Sequence, residues 1–331
     1  MLKLAKSSEE NFDASPLTQA KPTQLAIKPG DLLMVFVVVT LWGIAFVGMK
    51  VMVREAPPFK AAGIRFFLAA LPLLVLALQP SRLKKLRPLD FAKFALVGFL
   101  QTTILFAIHF SALRAVPAGV SSIILNTNPF FVAIFAHLLI PGDRLSKQKL
   151  IGLVLGFSGV LVLVVGGKGL GEVALYWPLL LLTAAAVWAF SAILVKKLKF
   201  QDMLSLTTWQ CLFGSLPLLL IGYSLESQPV NWNWDFILWT LYVALVASSF
   251  GWWALYRLLQ RYSASRVSVF LFLIPVGAVL SSVLLLGETL NPNIVAGGTL
   301  VAVGIIVVNS SLGFVARFKS VRFNKGYSEP K

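Results

Sequence analysis

The chain has 331 residues, of which 58% are hydrophobic and 13% are charged, and its mean hydropathy is +0.84. Soluble domains carry a charge on roughly a quarter of their residues, so this composition excludes an ordinary soluble protein. The net charge of +16 would suit nucleic acid. We nevertheless predict no nucleic-acid partner, because the basic residues lie in short segments between long apolar runs.

Residues 1–30 form a polar N-terminal tail. Acidic residues, among them Glu9, Glu10 and Asp13, lie beside its lysines, and the tail has no apolar core. It therefore resembles neither a secretory signal nor an acid-poor transit peptide. We expect a cytoplasmic tail, followed by a first apolar run that acts as its own insertion signal.

Ten apolar runs follow, each close to the roughly 20 residues that a helix needs to cross about 30 Å of hydrocarbon. Only helices and closed barrels satisfy the backbone inside a bilayer, and the runs lack the alternation of barrel strands. The predicted fold class is an all-α polytopic membrane protein with ten transmembrane helices. The predicted spans are 32–53, 61–78, 91–113, 119–140, 150–165, 174–195, 206–223, 236–258, 267–286 and 293–312.

Most of the 29 basic residues lie in the two tails and in alternate loops between these spans. The positive-inside rule then places both termini in the cytoplasm, including the basic C-terminal tail 313–331. We expect a multi-pass protein of the plasma membrane, which in a bacterium is the inner membrane. The expected partner of the basic surface is the anionic inner leaflet of that bilayer.

Residues 42–159 are repeated about 145 positions later in the chain. Trp42 corresponds to Trp188, Pro129 to Pro275 and Gly152 to Gly297. With five spans in each unit, the repeats 31–166 and 174–312 would enter the membrane from opposite sides. Inverted repeats recur in secondary transporters, whose central site faces either side in turn. We therefore predict two inverted repeats around a central cavity, with a duplication that has no transport role as the alternative.

Other classes of site find little support in the sequence. Cys211 is the only cysteine, which excludes an intramolecular disulfide or a multi-cysteine metal site. His109 and His137 have no neighbouring carboxylates, and no phosphate-binding loop of the Walker type occurs. We predict no catalytic residues, no metal and no cofactor.

A family resemblance rests on Trp42-Gly43-Ile44-Ala45-Phe46, Ala62-Gly63-Ile64-Arg65-Phe66 and Pro141-Gly142-Asp143-Arg144-Leu145. These segments resemble the EamA-type transporters of the drug/metabolite transporter superfamily, and the resemblance runs from about residue 32 to residue 312. It implies ten helices in two repeats around a central cavity, and the export of amino acids or other small metabolites. The chain departs from the pattern at Asp143, where glutamate is usual, and at Gln210, which matches Arg65.

Two basic residues, Lys50 and Arg65, lie within the predicted spans, toward the outer side. A charge in hydrocarbon costs about 2.5 to 3.5 kcal/mol on insertion scales, so it faces the bundle interior or snorkels to the surface. We interpret the pair as an anion-handling site for a carboxylate or phosphate, with Arg65 in the cavity; snorkelling is the alternative. No Asp or Glu lies mid-span, so His109 is the candidate if transport is coupled to protons.

Seven other residues are predicted to line the cavity. Gln101 lies on span 3, and a stripe on span 8 offers an aromatic wall with hydrogen-bonding groups, which suits amphipathic organic substrates. Asn126 lies on a polar stripe of span 4. Trp42 and Trp188 are also assigned to the cavity, with core packing as their alternative. The residues of the span 8 stripe are Tyr242, Ser249, Trp253 and Tyr256, of which the last three are assigned to the cavity.

Pro129 and Pro275 are predicted hinges or gates, because each removes a backbone hydrogen bond within its span. A packing kink is the alternative. Gly152, Gly156 and Gly159 indicate close helix packing, with a contact in a homodimer left open.

Together these features predict a membrane carrier and not an enzyme. The carrier would be secondary-active or facilitative, and it would export an amino acid or a similar amphipathic metabolite by alternating access. Lys50 and Arg65 leave an organophosphate or nucleotide-sugar exchanger open. A channel or a non-transporting membrane component is the other alternative.

Overall fold

The computed structural model describes residues 29–84, 86–139, 145–165, 174–198, 200, 202–251, 254, 258, 271 and 273–309. The regular structure of these residues is helical throughout, and no strand occurs among them. The first half contains α1 (Pro29–Glu55), α2 (Pro58–Ala77), α3 (Pro80–Leu83), α4 (Pro88–Leu113), α5 (Ala118–Leu125), α6 (Asn128–Leu139) and α7 (Lys147–Val165). The second half contains α8 (Tyr176–Leu198), α9 (Met203–Leu225), α10 (Trp234–Phe250), α11 (Ile274–Leu286) and α12 (Pro292–Asn309).

Six helical stretches are long and apolar enough to cross a membrane, within the residues that the structure describes. They are α1, α2, α4, the stretch from α5 through α6, α8 and α9. Among the other helices, the apolar α10, α11 and α12 are shorter. The all-helical, multi-span membrane class predicted from the composition is therefore confirmed.

The surface of the bundle is rich in large apolar side chains. Leu284, Leu225 and Trp234 are 80%, 78% and 76% exposed. A soluble protein would not leave so much apolar surface in water. These side chains are suited to contact lipid instead.

The two halves pack on each other along most of their helices. Helix α2 packs on α9, α7 on α12, α1 on α11 and α6 on α8. Glycines allow the closest of these contacts, because a Cβ atom on Gly152 would lie 2.7 Å from the carbonyl oxygen of Gly304. A Cβ on Gly159 would likewise lie 2.6 Å from the carbonyl oxygen of Gly297. The glycines of α7 are thus used in a helix contact within the chain.

The predicted fourth span is interrupted, and Pro129 begins a new helix rather than kinking a continuous one. The helix stops at Leu125, and Pro129 is the second residue of α6. Asn126 Nδ2 donates to the carbonyl oxygen of Ser122 at 2.9 Å, and Thr127 Oγ1 to that of Ile124 at 2.7 Å. Side chains therefore donate hydrogen bonds to backbone carbonyl groups at the break. Pro129 lacks an N–H, but this costs little stability because the first turn of a helix leaves its N–H groups without a helical partner.

Pro275 has the same place in the second half, as the second residue of α11. We expected each proline to remove a hydrogen bond from within a helix, and this expectation is wrong. Both prolines lie in the first turn of a helix. The break also divides the polar stripe of the fourth span. Ser122 is fully buried, whereas His137 is exposed.

Candidate substrate-binding cavity

A cavity of about 110 Å³ is lined by residues from both halves of the chain. One water molecule needs about 10 to 15 Å³ of such space, so the cavity holds several waters or a small organic group. Aromatic side chains form much of its wall, including Phe46, Phe66 and Phe106. Amide, hydroxyl and guanidinium groups are interspersed among them, a composition typical of small-molecule sites.

The structure brings half of the predicted site residues together around this cavity. The predicted residues that line it are Trp42, Arg65, Gln101, His109, Asn126 and Trp188. Trp253 and Tyr256 lie outside the described residues.

Lys50 and Ser249 are not among the lining residues. Lys50 Nζ donates to the carbonyl oxygens of Leu113 and Val116, the latter at 3.0 Å. These carbonyls lie at the C-terminal end of α4, where a cation is favoured by the helix dipole. Ser249 Oγ donates to the carbonyl oxygen of Ala69 at 3.0 Å. Of the two proposed anion-handling residues, therefore, Arg65 faces the cavity and Lys50 caps a helix.

Several lining residues that we did not predict are repeat partners of other lining residues. Arg65 corresponds to Gln210 and Phe66 to Cys211, while Gln101 corresponds to Ala247 and Thr102 to Ser248. Trp42 and Trp188 form a fifth such pair. Part of this signal was available in the sequence, since transferring Arg65 by 145 positions gives Gln210 and transferring Gln101 by 146 positions gives Ala247.

Two π-helical segments border the cavity at matching places in the repeats. One is Phe99–Ile104 within α4, which supplies Gln101 and Thr102, and the other is Tyr242–Phe250 within α10, which supplies Ala247 and Ser248. Segments of this kind are frequent at functional sites.

Side chains bind carbonyl groups of the second π segment. Ser248 Oγ donates to the carbonyl oxygen of Val243 at 2.8 Å, and Trp42 Nε1 donates to that of Ala247 at 2.7 Å. The indole of Trp42 thus ties α1 to the irregular wall of the cavity.

Arg65 is a buried cation without an acidic partner among the described residues. It is 7% exposed, and its Nη1 and Nη2 atoms donate to Met49 Sδ at 2.9 Å and to Ser248 Oγ at 3.2 Å. Its Nε has no hydrogen-bond partner there. The guanidinium carbon lies 4.5 Å from the ring centroid of Phe66 and 4.8 Å from that of Phe106. Aromatic faces and neutral acceptors thus surround the charge.

His109 is also buried, and neither of its ring nitrogens has a partner in the described part of the chain. Its ring centroid lies 5.8 Å from that of Phe106 and 5.5 Å from that of Phe46. The Phe106 ring is therefore near two polar side chains, Arg65 and His109. Both line the cavity, and both have nitrogen atoms without a hydrogen-bond partner in the described residues.

At one end of the bundle, two glutamates of the second half bind helix N-termini of the first. Glu226 accepts from the backbone N–H groups of Phe59 and Lys60, both at 3.0 Å. Glu288 accepts from those of Ala118 at 2.7 Å and Gly119 at 3.2 Å. Carboxylates at helix N-termini satisfy free donors and complement the dipole. These contacts tie the loops of the two halves together.

A second cavity, of about 670 Å³, lies near the start of α9 and has a polar lining. Its charged residues include Arg82 and Asp202, which form an ion pair with Nη1 to Oδ2 at 2.6 Å. Burial raises the pKa of the Asp202 carboxyl, but hydrogen bonds from Arg82 and Ser205 outweigh it, and the pKa lies below its ordinary value. Asp202 also caps α9 by accepting from the backbone N–H of Leu204. This pair is structural: it joins α3 to the start of α9.

The model of the EamA-like transporter family matches residues 29–165 and 175–310. The chain belongs to this family. Among similar proteins is an uncharacterised transporter of Bacillus subtilis, YvbV, which is 32% identical over 84% of this chain and 91% of its own length. Proteins named as probable amino-acid metabolite efflux pumps of Salmonella typhimurium and Escherichia coli are 32% and 31% identical, each over 84% of this chain and 94% of its own length.

A solved crystal structure shares the fold of this EamA-like chain. The two superpose with a TM-score of 0.60 over 89% of this chain and 99% of the other, at 17% identity. At that identity the likeness concerns the fold alone. The family assignment predicted from the segments around Trp42 and Arg65 is confirmed by the family match.

Proposed function

We propose that the protein is a carrier, secondary-active or facilitative, that exports an amino acid or a similar amphipathic metabolite by alternating access between two inverted five-helix repeats. The observation that carries this proposal is the cavity lined by repeat-related pairs, such as Trp42 with Trp188 and Thr102 with Ser248. A site built from equivalent elements of two repeats is characteristic of carriers whose halves exchange conformations.

The packing of the helices supports the same exchange. Assigning α1 to α8, α2 to α9, and α5 with α6 to α11 maps each helix of one half onto its repeat partner. Under this assignment the contact of α1 with α11 becomes that of α8 with α6, and the contact of α2 with α9 maps onto itself. A chain with an approximate two-fold relation between its halves has this property.

The substrate class is supported by the relatives and by the lining. Two relatives are named as probable amino-acid metabolite efflux pumps. The cavity combines aromatic walls with the amides of Gln101, Asn126 and Gln210, which suits a compound with an apolar body and polar ends. Export of such metabolites is therefore the function we assign.

The orientation is part of the proposal. Both termini lie in the cytoplasm, and cations such as Arg82 and Arg87 then face the anionic inner leaflet. The carboxylates of Glu226 and Glu288 lie at the opposite, outer end. Their bonds to the first half would keep that end of the cavity shut, and they would have to break when the carrier opens outward.

Counterflow in proteoliposomes tests the function. The vesicles are preloaded with unlabelled amino acids and related metabolites, and the uptake of each labelled compound is followed. A carrier gives a transient accumulation that saturates and that falls in Asn126→Ala, whose side chain lines the cavity. Thr299→Ala on the exposed surface of α12 is the matched control and should behave as wild type.

Three results would speak against the proposal. Flux that does not saturate and shows no counterflow would indicate a channel. Folded protein that moves none of the panel would remove the transport assignment. Equal losses in Asn126→Ala and Thr299→Ala would remove the cavity assignment.

A further inference from the structure

The cavity contains a positive charge that the described protein does not neutralise. Arg65 is buried and donates to a thioether and a hydroxyl, and its Nε is left without a partner. Buried charges in proteins are usually paired, because taking an ion out of water costs free energy. The phenyl faces of Phe66 and Phe106 recover part of that cost. An anion in the cavity would recover more.

The charge is present on one side of the cavity only. Gln210 lines the cavity at the repeat position that matches Arg65. Its side chain ends in an amide, which is shorter than the guanidinium side chain and carries no charge. A site that is otherwise built from paired positions is thereby polarised, with a cationic side in the first half and a neutral side in the second.

A second unpartnered donor lies beside the charge. His109 packs against Phe106, the ring over which the Arg65 guanidinium lies, with a ring-centroid distance of 5.8 Å. Both of its ring nitrogens are free of protein partners in the described residues, and one nitrogen of a neutral imidazole carries a proton. A guanidinium and an N–H that line the same cavity can both donate to a carboxylate bound there.

We propose that Arg65 binds the carboxylate of the transported compound, with His109 as a second donor, so that the substrate is an organic carboxylate with an apolar or aromatic body. This proposal rests on the carrier function and identifies the chemical class of its substrate. A carboxylate is required, and an ammonium group is not. Amino acids and the corresponding acids without the amino group both belong to the class.

The number of cations in the cavity favours a carboxylate over a phosphate ester as the ligand. Lys50, the other cation considered for an anion site, donates to carbonyl groups at the end of α4. Arg65 is the one cation among the described residues that line the cavity. A single guanidinium balances one carboxylate, whereas a phosphate monoester carries up to two negative charges near neutral pH. The organophosphate alternative is therefore disfavoured by the same geometry.

The experiment measures binding to purified protein in detergent at pH 7 with three probes that share one body. They are 3-phenylpropanoate, the neutral 3-phenylpropan-1-ol and 3-phenylpropyl phosphate. We expect wild-type protein to bind the carboxylate at least about tenfold more tightly than the alcohol. A tenfold difference in affinity is about what one hydrogen bond to a charged group contributes. The phosphate should bind more weakly than the carboxylate.

Two variants assign the preference to Arg65. Arg65→Gln copies the residue of the other repeat and should bind the acid and the alcohol equally, whereas Arg65→Lys should keep a reduced preference for the acid. Wild-type protein that binds the alcohol or the phosphate as tightly as the carboxylate would overturn the proposal without any variant. Folded Arg65→Gln that retains the full preference would overturn it as well.

The carboxylate site and the carrier function are tested by different measurements, binding and flux, so each can fail without the other. Carboxylate binding that depends on Arg65, without counterflow, would remove the carrier function and leave this site assignment intact. Counterflow of compounds that lack a carboxylate, at rates equal to their acids, would leave the carrier function intact and remove the carboxylate site.

Discussion

The crossing of α1 and α11 provides a sharp test of the packing beside the cavity. At this crossing Gly43 lies against Gly277. A Cβ atom on Gly43 would lie 2.9 Å from the carbonyl carbon of Gly277 and 3.1 Å from the backbone nitrogen of Ala278. A Cβ on Gly277 would find its nearest atom, the Cα of Gly43, at 3.6 Å. Gly43→Ala must therefore push two backbones apart, whereas Gly277→Ala adds an ordinary contact.

The expected difference in stability comes from the one free-energy term that the two variants do not share. Each replaces a helical glycine, and each gains about 1 kcal/mol of helix propensity, so this gain cancels in the comparison. Overpacking against a rigid neighbour costs about 1 to 3 kcal/mol, and Gly43→Ala alone incurs it. We expect Gly43→Ala to be less stable than Gly277→Ala by about 1 to 3 kcal/mol, about 5- to 150-fold in the unfolding equilibrium.

The assay is unfolding of each variant in mixed micelles with increasing dodecyl sulfate, followed by far-ultraviolet circular dichroism. Gly277→Ala should match or exceed wild type, and Gly43→Ala should unfold at a lower dodecyl sulfate fraction. Counterflow should fall in Gly43→Ala as well, because its neighbour Trp42 lines the cavity. Equal stability of the two variants, or the reverse order, would refute the crossing geometry from which the difference was calculated.

Three further predictions concern single interactions. Glu288→Ala should destabilise the folded state by about 1 to 2 kcal/mol, as expected for loss of a helix cap, and the stability of Glu288→Gln should lie between those of Glu288→Ala and wild type. A melting curve of Glu288→Ala in detergent that equals that of wild type would contradict the cap. Asp202 has a lowered pKa when folded, so its carboxylate contributes stability above its unfolded pKa of about 3.9, and that contribution is lost as the pH falls through the lower folded value. The stability difference between wild type and Asp202→Asn should shrink on acidification below about pH 4, and a difference that grows there would contradict the assigned sign. Trp42→Phe removes the hydrogen bond to the carbonyl oxygen of Ala247. It should lower the free energy of unfolding by about 1 kcal/mol more than Trp209→Phe does, since Trp209 Nε1 has no partner in the described residues. Equal unfolding midpoints of the two variants would count against the bond to Ala247.

Two kinds of pattern in the sequence predicted the membrane class and six of the residues that line the cavity. Apolar runs long enough to cross a bilayer leave few alternatives to helices. The duplication then placed Trp42 and Trp188 in equivalent positions, and both line the cavity. Rare residue types at a constant spacing carry more information than the composition of any one helix.

The error on α10 has a definite physical cause. The stripe containing Ser249 assumed a helical period of 3.6 residues through a segment that the structure shows as a π-helix, Tyr242–Phe250. Its wider turn changes which residues share a face. Ser248 consequently lines the cavity, while Ser249 donates to the carbonyl oxygen of Ala69 on α2. No local sequence rule used here predicts such a segment.

Lys50 shows a second limit of sequence reasoning. Its depth in α1 indicated either an anion-handling site or snorkelling to the membrane surface. Both interpretations assume that the ammonium group faces water or a ligand. The structure gives a third answer, since the ammonium binds the carbonyl groups that end α4. That partner comes from a helix three elements later, and its position depends on how α1 and α4 pack. Periodicity within α1 carries no information about it.

The proposed exchange of conformations between the two repeats involves one position at which they differ within the cavity, Arg65 in the first half and Gln210 in the second. Under the proposed exchange, each residue of one half takes the surroundings that its counterpart had, so Arg65 would enter an environment now occupied by Gln210. The two conformations are then unequal in energy even where their packing is equivalent, because a guanidinium and an amide differ in the cost of burial. A bound carboxylate reduces that inequality by neutralising the charge in both conformations. In the proposed carrier, the divergence of this single position would therefore couple the occupancy of the cavity to the balance between the two conformations, which a fully symmetric pair of repeats could not do.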